Sequence, residues 1–144
     1  MDCPFCAVVD GSLPASRVAE TAHAIAFMDL RQAVQGHVLV VPRKHVENIY
    51  ALDAALAAEL MQLAVRVAQA LGAAMDPPGL NLWQSNGEAG GQEVAHFHLH
   101  VQPRRSDDGL LRIYSEGVPE PAPREVLDRL ADSIRPYLAA PEGT

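Results

Sequence analysis

The sequence predicts an α+β fold, with about five antiparallel strands and two helices packed in layers over one core. Three observations carry this. Short apolar runs rich in β-branched residues follow one another at hairpin spacing early in the chain. A long segment then switches to a helical apolar period. The length of 144 residues suits one domain, large enough to bury a core without disulfide staples.

The elements follow in order. Residues 2–11 read as a short turn around Cys3 and Cys6, closed by Asp10 and Gly11. Residues 16–20 and 24–30 read as strands joined by a tight turn, and residues 36–42 as a third strand that Pro42 stops. From Asp53 to about Met75 the strong helix formers Ala, Leu, Met, Gln and Arg dominate. Leu56, Leu60, Leu63, Ala64, Val67 and Leu71 share one stripe, and Asp53 is placed to cap it. Asp76-Pro77-Pro78-Gly79 ends the helix. Residues 79–85 read as a strand, 86–91 as a glycine-rich loop and 94–103 as another strand. Residues 104–122 are polar and dotted with proline, and 124–138 form a second amphipathic helix. There is no internal repeat.

Composition bounds the function. Hydrophobic residues make up 49% and charged residues 20%, ordinary for a globular chain. No apolar run is expected to serve as a membrane span of ~20 residues. The start lacks a basic region followed by an apolar one, so a cytoplasmic location is expected. Eleven basic against 18 acidic residues leave a net charge of −7, without the basic footprint of a nucleic-acid binder. One phosphorylated small molecule needs only a local site.

The outstanding feature is His96-Phe97-His98-Leu99-His100-Val101. On a strand, alternate residues share a face, so three imidazoles are expected on one side and Phe97, Leu99 and Val101 in the core. The imidazoles could be metal ligands or a nucleophile with its helpers. Alternate side chains on a strand sit nearly 7 Å apart, a spacing that suits an extended anion better than a single metal. Gly87, Gly90 and Gly91 in the preceding loop would let backbone amides approach phosphate.

His96-Phe97-His98-Leu99-His100-Val101-Gln102 resembles the signature of the histidine triad (HIT) family of nucleotide hydrolases and transferases. Residues 26–29, 36–45 and 86–92 resemble further family blocks in the same order and spacing. The likeness covers about residues 3–104 of a single domain and leaves a helical tail at about 123–139. Gln102 stands where the family usually has an apolar residue.

The resemblance implies roles. His98 would be the nucleophile at the α-phosphorus, passing through a nucleotidyl-histidine intermediate and releasing a nucleoside monophosphate. His100 would hydrogen-bond the phosphate oxygens, His96 would orient the row and His37 would lie behind it. Asp29 would take the ribose hydroxyls, while Phe5, Val8, Leu13 and Phe27 wall the base pocket. Gln92 and the loop amides around Asn86 would hold phosphate. Glu93 replaces a Ser or Thr that touches the leaving group, and Ser85 an Asn or Gln, so leaving-group preference is open.

The substrate implied is a purine nucleotide or nucleotide conjugate: a phosphoramidate, a dinucleoside polyphosphate or an acyl-nucleotide. An interaction protein that retains nucleotide binding is the alternative class. Family members also pair through the long helix and an edge strand, so a homodimer with a continuous sheet is expected.

Both cysteines lie in Cys3-Pro4-Phe5-Cys6. That spacing reads as a redox pair or as half of a metal site. No βαβ unit surrounds it, as a thioredoxin-like motif would require. One branch of the HIT family places zinc on two cysteines and two histidines, and His45 and His96 complete such a set here. Zinc there would be structural. A reduced pair without metal and a disulfide are the other states.

Overall fold

A computed structural model describes residues 2–138, which fall into two compact units divided between Asp108 and Gly109. The first unit holds one antiparallel five-stranded sheet. Its strands are β1 (Arg17–Glu20), β2 (Ala24–Met28), β3 (Val38–Pro42), β4 (Gly79–Trp83) and β5 (Leu99–Arg104), in the order β1-β2-β3-β5-β4. A short helix α1 (Pro4–Asp10) and the long helix α2 (Ala54–Met75) belong to the same unit.

β2 and β3 are apolar throughout because both faces of the sheet are covered. Alternate residues divide between two clusters. Ala24, Ala26, Val38 and Val40 join Phe97, Leu99, Val101 and the α2 stripe, while Ile25, Phe27, Leu39 and Val41 join Phe5 and Val8 of α1. Leu56, Leu60, Leu63, Ala64, Val67 and Leu71 are the buried residues of α2, as the sequence period predicts. Asp53 caps α2, its Oδ1 accepting from the Leu56 amide at 2.8 Å. By length and composition α2 could cross a bilayer. Its packed stripe identifies it as the core helix of this sheet.

Within residues 2–11, Pro4–Asp10 form a helix rather than a turn. Cys3 is its N-cap, Pro4 its first residue, and Gly11 closes it at φ 85°. The strands expected over 24–30, 36–42 and 79–85 end earlier or start later, at 24–28, 38–42 and 79–83. The larger correction concerns the strand expected over 94–103. Pairing begins at Leu99, so His96 and His98 precede β5 and only His100 lies on it. Gln102 follows His100 by two residues on β5 and so shares its face. It is buried, its amide donating to the carbonyls of Val34 and Pro103. The second unit carries α3 (Arg124–Ile134), followed by a 3-10 turn over Arg135–Tyr137, so the helix expected to Leu138 is shorter.

Candidate active site

The register lays out one face of the sheet. Phe27 pairs with Leu39, Leu39 with His100, and His100 with Trp83. Cross-strand partners share a face, so this row runs from the apolar end under α1 to the imidazole end. Above it opens a cleft of about 750 Å³ whose lining includes Phe5, Val8, Leu13, Phe27, Asp29, Glu93, His98 and His100.

The hydrogen bonds assign the imidazole nitrogens. His98 is 6% exposed, and its Nδ1 lies 2.7 Å from the His96 carbonyl. A carbonyl only accepts, so Nδ1 carries the proton and Nε2 carries the lone pair. Edge-on contact with Phe5 at 5.1 Å steadies the ring. His96 is fully buried and donates through Nε2 to the Pro42 carbonyl at 2.9 Å, which leaves its Nδ1 as a lone-pair nitrogen.

His100 and His37 share one hydrogen bond, His37 Nε2 to His100 Nδ1, at 2.9 Å. Asp29 Oδ2 stands 3.7 Å from His37 Nδ1, while Asp29 Oδ1 accepts from the Arg31 amide at 2.7 Å. Burial, with His98 and His37 adding to it, holds His100 down to about 3. Burial also lowers His37, against the opposing pull of Asp29. The pair is therefore neutral at pH 7.

Of the residues predicted from sequence, Gln92, Asn86 and Ser85 do not line this cleft. Gln92 staples its own loop: its amide group accepts from the Gly87 amide at 2.9 Å and donates to the Glu47 and Val94 carbonyls. Asn86 exchanges side-chain hydrogen bonds with Gln84 and accepts from the Ile49 amide at 2.8 Å. Their hydrogen bonds shape the loop before the histidines. Glu93 does reach the cleft, at an exposed rim where Arg31 lies 4.0 Å from it. Trp83 was not singled out by sequence. It stacks on His100 with centroids 4.3 Å apart and planes 3° apart.

Cys3, Cys6, His45 and His96 converge although up to 93 residues apart, with their ligand atoms all within 4.8 Å of one another. Cys3 Sγ is 3.3 Å from His96 Nδ1, Cys6 Sγ 3.3 Å from His45 Nδ1 and Cys6 Sγ 3.6 Å from His96 Nδ1. A tetrahedral zinc ion with its usual bonds to sulfur and nitrogen sets S···N edges of about 3.5 Å. Desolvation, with Cys3 beside it, pushes the Cys6 thiol up. Two adjacent thiols ionise together readily only around a cation. The lone-pair Nδ1 of His96, with Nε2 bonded to a carbonyl, is the usual arrangement of a histidine ligand. The donor set fits zinc.

Comparison with known proteins agrees with this geometry. The HIT domain profile matches residues 10–107. The adenosine 5′-monophosphoramidase hnt1 of Schizosaccharomyces pombe is 34% identical over 108 residues, 75% of this chain and 78% of that protein. The crystal structure of a HIT family protein from Bacillus anthracis superposes with a TM-score of 0.89 at 34% identity, covering 96% of this chain and 98% of that one. A Zn-bound histidine triad family protein from Mycobacterium smegmatis superposes with a TM-score of 0.71 at 33% identity, over 92% of each chain. A histidine row, a walled cleft and a shared fold thus converge, and the chain belongs to the HIT family.

Proposed function

We propose that this chain hydrolyses purine nucleoside 5′-phosphoramidates, with Nε2 of His98 attacking the α-phosphorus. The observation that carries the reading is the tautomer of His98. Its Nδ1 proton is committed to the His96 carbonyl at 2.7 Å, which leaves the lone pair on Nε2 of a residue lining the cleft. Relatives named adenosine 5′-monophosphoramidase support the substrate class.

In the first step Nε2 bonds to phosphorus and the phosphorus–nitrogen bond of the substrate breaks, the departing amine taking a proton from water. In the second, water attacks phosphorus, the bond to Nε2 breaks, and the nucleoside monophosphate leaves. The base rests between Phe5, Val8, Leu13 and Phe27, with Asp29 beside the ribose. His100, backed by His37, lies against the phosphate oxygens and stabilises the charge that develops on them. At the rim the Glu93 carboxylate and the Arg31 guanidinium offset each other, which makes a poor clamp for a polyphosphate leaving group.

Cys3, Cys6, His45 and His96 would hold zinc, which supplies structure rather than chemistry. It ties α1, a wall of the cleft, to the segment before β5, and its ligand His96 is two residues from His98.

The test compares adenosine 5′-phosphoramidate with diadenosine tetraphosphate, for wild type and His98→Ala. Wild type should release AMP from the phosphoramidate in preference, and the variant should lose on the order of 10³-fold or more in kcat/KM. An inert wild type, or a variant with full activity, refutes the assignment.

A further inference from the structure

We propose that Trp83 is the positioning residue for His100, its indole face holding the imidazole in place and stabilising the cation that His100 becomes against a bound phosphate. The proposal rests on the reading of the cleft as a nucleotide site. Its own support is the stack.

Register sets the contact: Trp83 on β4 stands directly opposite His100 on β5. The rings are parallel within 3° at a centroid distance of 4.3 Å, well inside the ~6 Å range of a cation–π contact, for which tryptophan is the strongest partner. Trp83 does not line the cleft, so it touches His100 from the side away from a ligand.

The proton inventory explains why a cation forms. Asp29 Oδ2, 3.7 Å from His37 Nδ1, favours a proton on that nitrogen. His37 Nε2 then accepts, and His100 Nδ1–H donates across their 2.9 Å bond. This arrangement leaves His100 Nε2 bare. A phosphate oxygen meeting a bare nitrogen repels it, so phosphate binding must bring a proton from solvent to Nε2. The product is an imidazolium between an anion and an indole face.

Each element packed around His100 brings a group that bears on its charge. His98 lies 4.8 Å away on the same segment, and His37 approaches from the loop before β3 with Asp29 behind it. From β4 comes Trp83. Burial opposes the cation most and the two histidines oppose it when charged, whereas Asp29 and the indole favour it. His37 also lies 5.4 Å from the indole, at 36°.

Trp83 is the chain's single tryptophan, so its fluorescence reports this contact directly. An imidazolium quenches a stacked indole more than a neutral imidazole does. At pH 7, AMP should quench wild-type emission, whereas adenosine, lacking the phosphate, should not. In turnover of adenosine 5′-phosphoramidate, Trp83→Phe should stay within about threefold of wild type in kcat/KM, and Trp83→Leu should lose about tenfold. Thermal unfolding of both variants confirms that they are folded.

Emission unmoved by AMP that binds, Trp83→Leu as active as wild type, or a folded Trp83→Phe as poor as Trp83→Leu would each overturn the proposal for Trp83 alone. A wild type that neither binds AMP nor turns over the phosphoramidate overturns the nucleotide-site reading as well.

Discussion

Gly36 shows how closely single residues are constrained beside the site. Its φ is +107°, and a Cβ there would stand 2.7 Å from Pro103 Cγ and 2.9 Å from Met75 Sδ. Proline is rigid and its ring is buried, so the neighbour cannot give way easily. Gly36→Ala is expected to cost roughly 2–5 kcal/mol, combining backbone strain and overpacking. A urea unfolding midpoint indistinguishable from wild type would show that the loop relaxes instead. At this scale the sequence was informative where chemistry is written in residue type: His96, His98, His100 and the Cys3–Cys6 pair announce themselves. It was silent on Trp83, because a tryptophan in an apolar run reads as core. Its stack on His100 depends on a strand register joining residues 17 apart in sequence. It is silent too on the hydrogen bonds of Gln92 and Asn86, whose partners are backbone and neighbouring groups that only the folded loop brings near.

At the scale of elements, α2 was legible and α1 was not, for a physical reason. α2 repeats its apolar period over 22 residues, whereas α1 has seven residues, two of them adjacent valines. The available signal was its punctuation, proline at the first helical position and glycine after the last. What holds so short a helix is tertiary: Phe5 and Val8 bury against β2 and β3, Arg17 donates to the Val8 carbonyl at 2.7 Å, and Cys3 and Cys6 reach His45 and His96. The sulfur–nitrogen cluster is thus one of three contacts that hold α1 to the sheet. Purified protein is expected to carry about one zinc per chain. Chelation, or Cys6→Ala, should speed amide exchange over residues 4–10 while β2 and β3 stay protected. The thermal midpoint should fall by on the order of 5 °C or more. Metal-free protein with the same midpoint and the same exchange pattern would remove the clamp.

At the scale of the whole molecule, the buried imidazoles couple folding to pH. Burial holds His100 down to about 3 and pulls His37 below its ordinary value. Free imidazoles titrate near 6.5. Below that pH the unfolded chain takes up protons that the native chain refuses, so stability is complete above about 6.5 and is lost as pH falls toward the native values. Asp10, Glu20 and Glu59, all lowered chiefly by hydrogen bonds, act in the same direction, but only below their own unfolded range near 4.5. The two limbs are therefore separable. Between pH 6.5 and 5 the histidines account for the loss, and below it the carboxylates join. The urea midpoint of the wild type should decline already across the upper window, and His100→Asn, which cannot titrate, should decline less steeply there and on down to about pH 3, where native His100 itself takes up its proton. Bound AMP should flatten the wild-type decline in the upper window, because the proton that phosphate binding draws from solvent to His100 removes its difference in proton uptake between folded and unfolded chains. A wild-type midpoint that is level from pH 7 to 5 would mean that His100 and His37 titrate as freely in the native chain as in the unfolded one, and that the burial assigned to them is not present in solution.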